Sequence, residues 1–321
     1  MKILVTGCAG FIGYHLCSKL LENQKVKLYG IDNLNNYYDV SLKKSRLKIL
    51  KKNKNFIFNK LNILNKEKLI QSYKNTKIDF IVHLAAQAGV RHSISNPSEY
   101  MDINVYGFFN ILEFSKTKNI AHLIFASTSS VYGFSDKFPL KENARTDSPE
   151  SFYAATKKCN EVMAYSYSAI YKVPTTALRF FTVYGDYGRP DMALFKFVKN
   201  IMTNKSIEVY NHGKHLRDFT HVDEITDTIS KILKIKPKGR VPFEIYNIGG
   251  SKPKKLMDFI KIIETKLGKK ANIKFLPFQT GDVEKTHASS KKLNKKIKTM
   301  NPIKLEDGID RFITWFKNFY N

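Results

Sequence analysis

Short apolar runs alternate with longer stretches of helical period through the first two-thirds of the chain. Runs at Lys2–Thr6, Val26–Asp32, Phe56–Leu61, Phe80–Leu84, Leu123–Ser127, Thr175–Phe180 and Phe243–Ile248 predict strands. Several, such as Ile3-Leu4-Val5 and Phe80-Ile81-Val82, are almost continuous in apolar residues. A strand wetted on one face alternates, whereas a continuous run suits a strand covered on both faces of a parallel sheet. Helices are predicted between the runs at Gly13–Asn23, Tyr100–Lys118 and Tyr153–Tyr171, and again at Asp223–Leu233 before the last strand. This alternation predicts an α/β fold with a doubly wound parallel sheet, the Rossmann arrangement. Residues 184–216 and 249–321 fit it poorly and are expected to form a smaller C-terminal α/β domain that binds substrate. Residues 1–183 with 217–248 then form the sheet domain.

Composition narrows the class. A chain of 321 residues with 43% hydrophobic content can bury a large core. No apolar run approaches the roughly 18 residues of a membrane-spanning helix. The apolar start Ile3–Val5 is broken at once by Thr6-Gly7. A cytoplasmic protein without a membrane partner is expected. Cys8, Cys17 and Cys159 have no framework or metal-ligand spacing, so reduced thiols and no metal are expected. The net charge of +26 raises a nucleic-acid partner. Yet only eight of the 54 basic residues are Arg, the side chain suited to bidentate phosphate and base contacts. The Lys runs at Lys51-Lys52-Asn53-Lys54 and Lys291–Lys298 read as solvated faces, and no specific nucleic-acid partner is expected. The charge would favour encounter with anionic substrates in a salt-dependent way.

The first strand runs into Thr6-Gly7-Cys8-Ala9-Gly10-Phe11-Ile12-Gly13 and then a helix. Gly7, Gly10 and Gly13 are spaced G-x-x-G-x-x-G, not the G-x-G-x-x-G of the usual dinucleotide fingerprint. The physics is shared: a tight turn, close backbone approach to a pyrophosphate, and a helix N-terminus facing its charge. Asp32 ends the second strand, where a carboxylate can bind both ribose hydroxyls and repel a 2′-phosphate. NAD is favoured over NADP.

Tyr153 and Lys157 stand at i, i+4, on one helix face. A nearby ammonium and a cationic nicotinamide would favour the phenolate and make Tyr153 a base for a substrate hydroxyl. The hydroxyls of Ser127-Thr128-Ser129-Ser130 follow the fifth strand, at the sheet end where ligands bind.

These features, in this order, resemble the extended short-chain dehydrogenase/reductase family. The likeness includes His83-Leu84-Ala85-Ala86 and Asn104 and spans essentially the whole chain. Within it, the chain looks most like the UDP-glucuronate 4-epimerase branch. That likeness rests on Asp32-Asn33-Leu34-Asn35-x-Tyr37-Tyr38-Asp39, Arg179–Gly185, Gly188-Arg189-Pro190-Asp191-Met192-Ala193, Val209-Tyr210-Asn211-x-Gly213 and Arg217-Asp218-Phe219-Thr220. The resemblance implies catalytic roles for Tyr153, Lys157 and Thr128. It implies NAD contacts from Gly7, Gly10, Phe11, Ile12, Gly13, Asp32, Asn33, Asn62, Ile63, Leu84, Ala85, Ala86, Tyr153 and Lys157. Thr182 and Arg189 would hold a sugar carboxylate beside Ser129 and Ser130, and the bidentate fit of guanidinium to carboxylate supports Arg189 independently. Arg217 and Asp282 would bind the uridine diphosphate, with Tyr210 near the uracil. Asn62 replaces the usual adenine-contacting Asp, and Gln279 stands where galactose-type relatives carry an Arg. Related dehydratases carry Asp-Glu after the catalytic Thr, and decarboxylases a Glu two residues before the Tyr of Val-Tyr-Gly. Here those positions are Ser129 and Ser130. The implied activity is reversible epimerisation of UDP-glucuronate to UDP-galacturonate through a 4-keto sugar, with transient reduction of bound NAD. The alternatives are a UDP-glucose or UDP-N-acetylhexosamine 4-epimerase, or a UDP-glucuronate decarboxylase. A homodimer is implied by analogy, through Tyr100–Lys118 and Tyr153–Tyr171.

Overall fold

The computed structural model describes residues 1–320. In chain order the strands are β1 Lys2–Thr6, β2 Lys27–Asp32, β3 Phe56–Lys60, β4 Phe80–His83, β5 His122–Thr128 and β6 Thr175–Phe180. Then come β7 Thr182–Tyr184, β8 Ile207–Val209, β9 Leu216–Arg217, β10 Phe219–His221, β11 Phe243–Ile248, β12 Lys254–Lys255 and β13 Ile273–Phe275. The seven runs expected from the sequence form one parallel sheet in the order β11-β6-β5-β4-β1-β2-β3. The order reverses between β1 and β4, which opens a crevice at their carboxyl ends.

Both faces of the sheet are covered, as the continuous apolar runs require. Ile3 and Val5 of β1 join one core with Val82, Ile124 and Leu178, under helices Phe11–Leu21 and Val222–Ile232. Leu4 points the other way and packs with Ile81, Leu123, Phe125 and Ala177, under helices Gly107–Thr117 and Phe152–Tyr171. The long helix Phe152–Tyr171 starts where the Ser151 hydroxyl accepts from Ala154 N, and ends at Lys172 in the left-handed conformation.

The expected continuous helix Tyr100–Lys118 is instead a short helix Pro97–Tyr100, a π turn Met101–Tyr106 and a helix Gly107–Thr117. The cause sits at Asn104. Its side chain pairs with both backbone groups of Gln87, and its carbonyl accepts from Asn160 Nδ2 at 2.7 Å. The wider turn frees that carbonyl from the helical ladder.

A third core joins Phe195, Val198, Ile207, Val209, Phe259, Ile263, Ile309, Phe312 and Phe316. It is built by helices Ala193–Met202, Leu256–Leu267 and Leu305–Tyr320, none of which the alternation predicted, with the pair β8–β13. Leu293 and Ile297, near the chain end, belong instead to the core of the main sheet. They anchor the second Lys run, whose Lys291, Lys295, Lys296 and Lys298 are exposed. Lys51, Lys52 and Lys54 are exposed too. All three cysteines are free, Cys8 and Cys17 of them buried. Among the described residues, no helix is long and apolar enough to cross a membrane, and no group of side chains could hold a metal ion.

Candidate active site

A cleft of about 990 Å³ runs across the switch point and between the sheet and the third core. Every site residue expected from the sequence lines it. That includes Gly7, Gly10, Phe11, Ile12, Gly13, Asp32, Asn33, Asn62, Ile63, Leu84, Ala85 and Ala86 at one end. Thr128, Ser129, Ser130, Tyr153, Lys157, Thr182 and Arg189 lie in the middle, and Tyr210, Arg217 and Asp282 at the other end.

The glycine turn is demanded by packing. A Cβ on Gly13 would lie 2.0 Å from the Gly7 carbonyl oxygen, and one on Gly7 would lie 2.7 Å from Ala85 N. Gly7 also has φ +72°, in the left-handed region. Gly10 caps helix Phe11–Leu21 without any side chain, so the first N–H groups of that helix face the cleft unclaimed by a cap. Asp32 is buried, and its two oxygens accept from Ala9 N at 3.0 Å and Leu34 N at 2.8 Å. Burial raises its pKa, against the pull of the Leu34 N–H and the Lys43 charge. These groups fit a dinucleotide with a free 2′-hydroxyl. The Asn62 amide oxygen accepts from Leu64 N at 3.0 Å and keeps a second lone pair, and its NH₂ is a free donor.

Thr128 ends β5, and its hydroxyl donates to Ser130 Oγ and accepts from Ser130 N, each at 3.1 Å. Lys157 is buried and donates to the Ala126 carbonyl at 3.0 Å, with its pKa lowered to about 8 by burial. Burial pushes the Tyr153 phenol above the ordinary value, while the Arg189 charge and the Thr128 hydroxyl pull it back down. Behind the site, Ser127 donates to Glu161 at 2.6 Å, and Glu161 forms a buried two-bond ion pair with Arg179, each bond 2.8 Å.

The Arg189 guanidinium is closed on Asp191, with bonds of 2.9 and 2.5 Å. Burial works to raise the Asp191 pKa, but Arg189 outweighs it and holds the carboxylate below its usual value. Tyr37 donates to the same carboxylate at 3.4 Å. Arg217 and Asp282 are likewise paired with each other, at 2.8 Å. Sequence reasoning gave no role to Tyr37, Lys43, Arg91, Asp191, Lys196 or His215, all of which line the cleft. Lys43 could have been found only by recognising helix Val40–Leu50, whose cap at Asp39 is a legible signal.

A glycine turn facing Asp32 across a Rossmann switch point, with a buried Tyr-x-x-x-Lys beside a Thr hydroxyl, defines a dinucleotide-dependent enzyme of the short-chain dehydrogenase/reductase type. Residues 3–249 match the NAD dependent epimerase/dehydratase family, and the chain belongs to it. Protein CapI of Staphylococcus aureus is 47% identical over 100% of this chain and 99% of its own length. The UDP-glucuronate 4-epimerase of Thermodesulfobacterium geofontis is 42% identical over 98% of this chain and 95% of its own. The crystal structure of UDP-glucuronic acid 4-epimerase from Bacillus cereus, in complex with UDP-glucuronic acid and NAD, superposes with a TM-score of 0.92. It is 34% identical and matched over 100% of both chains.

Proposed function

We propose that this protein interconverts UDP-glucuronate and UDP-galacturonate by inverting carbon 4. One observation carries the reading: a single cleft joins the glycine turn and Asp32 to Tyr153 and Thr128, and these to Arg189, Arg217 and Asp282. Relatives named for this reaction, at 34–42% identity, support it. NAD, held along Gly7–Gly13 and at Asp32, supplies the hydride acceptor and donor for a redox-neutral inversion. Tyr153 takes the proton from the 4-hydroxyl, and Thr128 hydrogen-bonds the same oxygen. The 4-keto sugar then turns over before Tyr153 returns the proton. Arg217, Asp282 and Tyr210 hold the nucleotide during that swing, while the sugar end stays looser.

The 4-keto uronate is a β-keto acid and tends to lose carbon dioxide. Arg189 and Thr182 restrain its carboxylate away from the alignment that breaks the carbon–carbon bond. Ser129 and Ser130 supply no carboxylic acid to a competing elimination, which disfavours a dehydratase or decarboxylase. The test is product analysis after incubation with UDP-glucuronate and NAD. UDP-galacturonate without carbon dioxide or net NADH is expected. A UDP-pentose would mean a decarboxylase. Conversion of UDP-glucose or UDP-N-acetylglucosamine alone would remove Arg189 from its role.

We further infer a cytoplasmic homodimer that pairs helix Phe152–Tyr171 and the Pro97–Thr117 segment with their symmetry copies. Met101, Tyr106, Val162 and Tyr165 are 46–57% exposed on these elements, an apolar stripe that a second copy would cover. Val162→Glu with Tyr165→Glu is expected to give a monomer in analytical ultracentrifugation. An unchanged dimer would place the interface elsewhere.

A further inference from the structure

The nucleotide end of the cleft is short of positive charge for a diphosphate. Arg217 spends one nitrogen on Asp282 at 2.8 Å and another on the carbonyls of Leu216 and Glu284, at 3.2 and 2.9 Å. His215 is buried beside them, and burial followed by the Arg217 charge lowers its pKa, so it is neutral near pH 7. Glu208 also lines this end and accepts from the Tyr210 hydroxyl at 3.0 Å. This end of the cleft thus holds two carboxylates, Glu208 and Asp282, and one committed guanidinium. Of the other basic side chains lining the cleft, Lys43 is bound to Asn35 at the dinucleotide end, and Lys196 lies near Asp191 at the sugar end.

Arg91 is different. It stands on the short helix Val90–Ser95 just after β4, is exposed to the cleft, and has no carboxylate within ion-pair distance among the described residues. Its guanidinium lies over the Tyr210 ring, 4.3 Å from the centroid, so a residue of the sheet domain meets one following β8 across the cleft. Its charge also bears on His215, whose imidazole lies 3.6 Å from the Asp282 carboxylate.

We propose that Arg91 is the second cation of the diphosphate site, clasping the phosphates from the sheet side while Tyr210 holds it across the cleft. The assignment rests on the UDP-sugar reading above. A guanidinium free of protein carboxylates can give two charge-assisted hydrogen bonds to phosphate oxygens, which the anchored Arg217 fork cannot do alone.

The experiment is calorimetric binding of UDP and of uridine to the NAD-loaded protein and to Arg91→Met and Arg91→Lys. Arg91→Met is expected to weaken UDP by about tenfold or more and uridine by less than twofold. Arg91→Lys is expected to recover part of the UDP loss, as a point charge without the fork. Arg91 is exposed, and unchanged NAD binding by both variants verifies their fold. Parallel weakening of UDP and uridine would overturn the proposal and make Arg91 a prop for the Tyr210 ring. Undiminished UDP binding would overturn it outright. Failure of the UDP-glucuronate reading shows separately, as wild-type protein that binds UDP but does not turn over UDP-glucuronate.

Discussion

Tyr153→Phe is expected to lower turnover of UDP-glucuronate by about two to four orders of magnitude, the range that one positioned acid–base group supplies. NAD and UDP binding should stay within a few-fold of wild type, because the ring keeps its place against Tyr100, 6.1 Å between centroids. The pH dependence follows from the local charges. In the protein without cofactor, burial holds the Tyr153 phenol above its ordinary value, so it is protonated at neutral pH. Arg189 and Thr128 pull the other way, and the positive charge of bound NAD adds to them. Turnover should therefore rise with pH as the phenolate forms, and the limb of that rise should lie lower in pH with NAD bound. Lys157 titrates near 8 in the protein without cofactor, so its ammonium is present below that pH and lost above it. Lys157→Met is expected to move the limb to higher pH and to weaken NAD. Equal turnover by Tyr153→Phe and wild type would refute the assignment of the base.

The sheet and the cofactor end were the most legible parts of this chain. Near-continuous apolar runs such as Ile3–Val5 are what a strand covered on both faces must show, and all seven runs found their places. Gly13 was legible because no other residue leaves room for the Gly7 carbonyl. The lobe over the nucleotide was not. Helices Ala193–Met202, Leu256–Leu267 and Leu305–Tyr320 follow a strong 3.6-residue period, yet they are joined by two- and three-residue strands, with no α/β alternation to organise them. The π turn was hidden for a similar reason. It depends on Asn104 meeting Gln87 and Asn160, a contact made by the fold and invisible in local pattern. Site residues were found where a motif fixes backbone geometry. Asp191 and Arg91 were passed over because their roles depend on which charges are already paired, and pairing is a tertiary fact.

That pairing makes Arg189 the most informative position after Tyr153. Its fork is closed on Asp191 before any substrate enters, so the uronate carboxylate must replace one carboxylate with another. The exchange penalises binding but selects for a carboxylate, since a neutral hydroxymethyl group gives no reason for the Asp191 pair to open. Arg189→Met is expected to lower kcat/KM for UDP-glucuronate by about 10- to 100-fold, the range for losing charge-assisted hydrogen bonds to one anion. The 4-keto uronate would then be poorly restrained, and carbon dioxide with a UDP-pentose product should appear beside UDP-galacturonate. Arg189 is also the charge that most lowers the Tyr153 pKa, so the same variant should shift the pH–rate limb upward. Asp191→Asn separates the two roles. It releases Arg189 from its partner but leaves the guanidinium in place, so KM for UDP-glucuronate should fall while carbon dioxide release stays absent. If Asp191→Asn leaves KM unchanged and Arg189→Met releases no carbon dioxide, the carboxylate is held elsewhere, with Lys196, Thr182, Ser129 and Ser130 among the other polar groups of the sugar end.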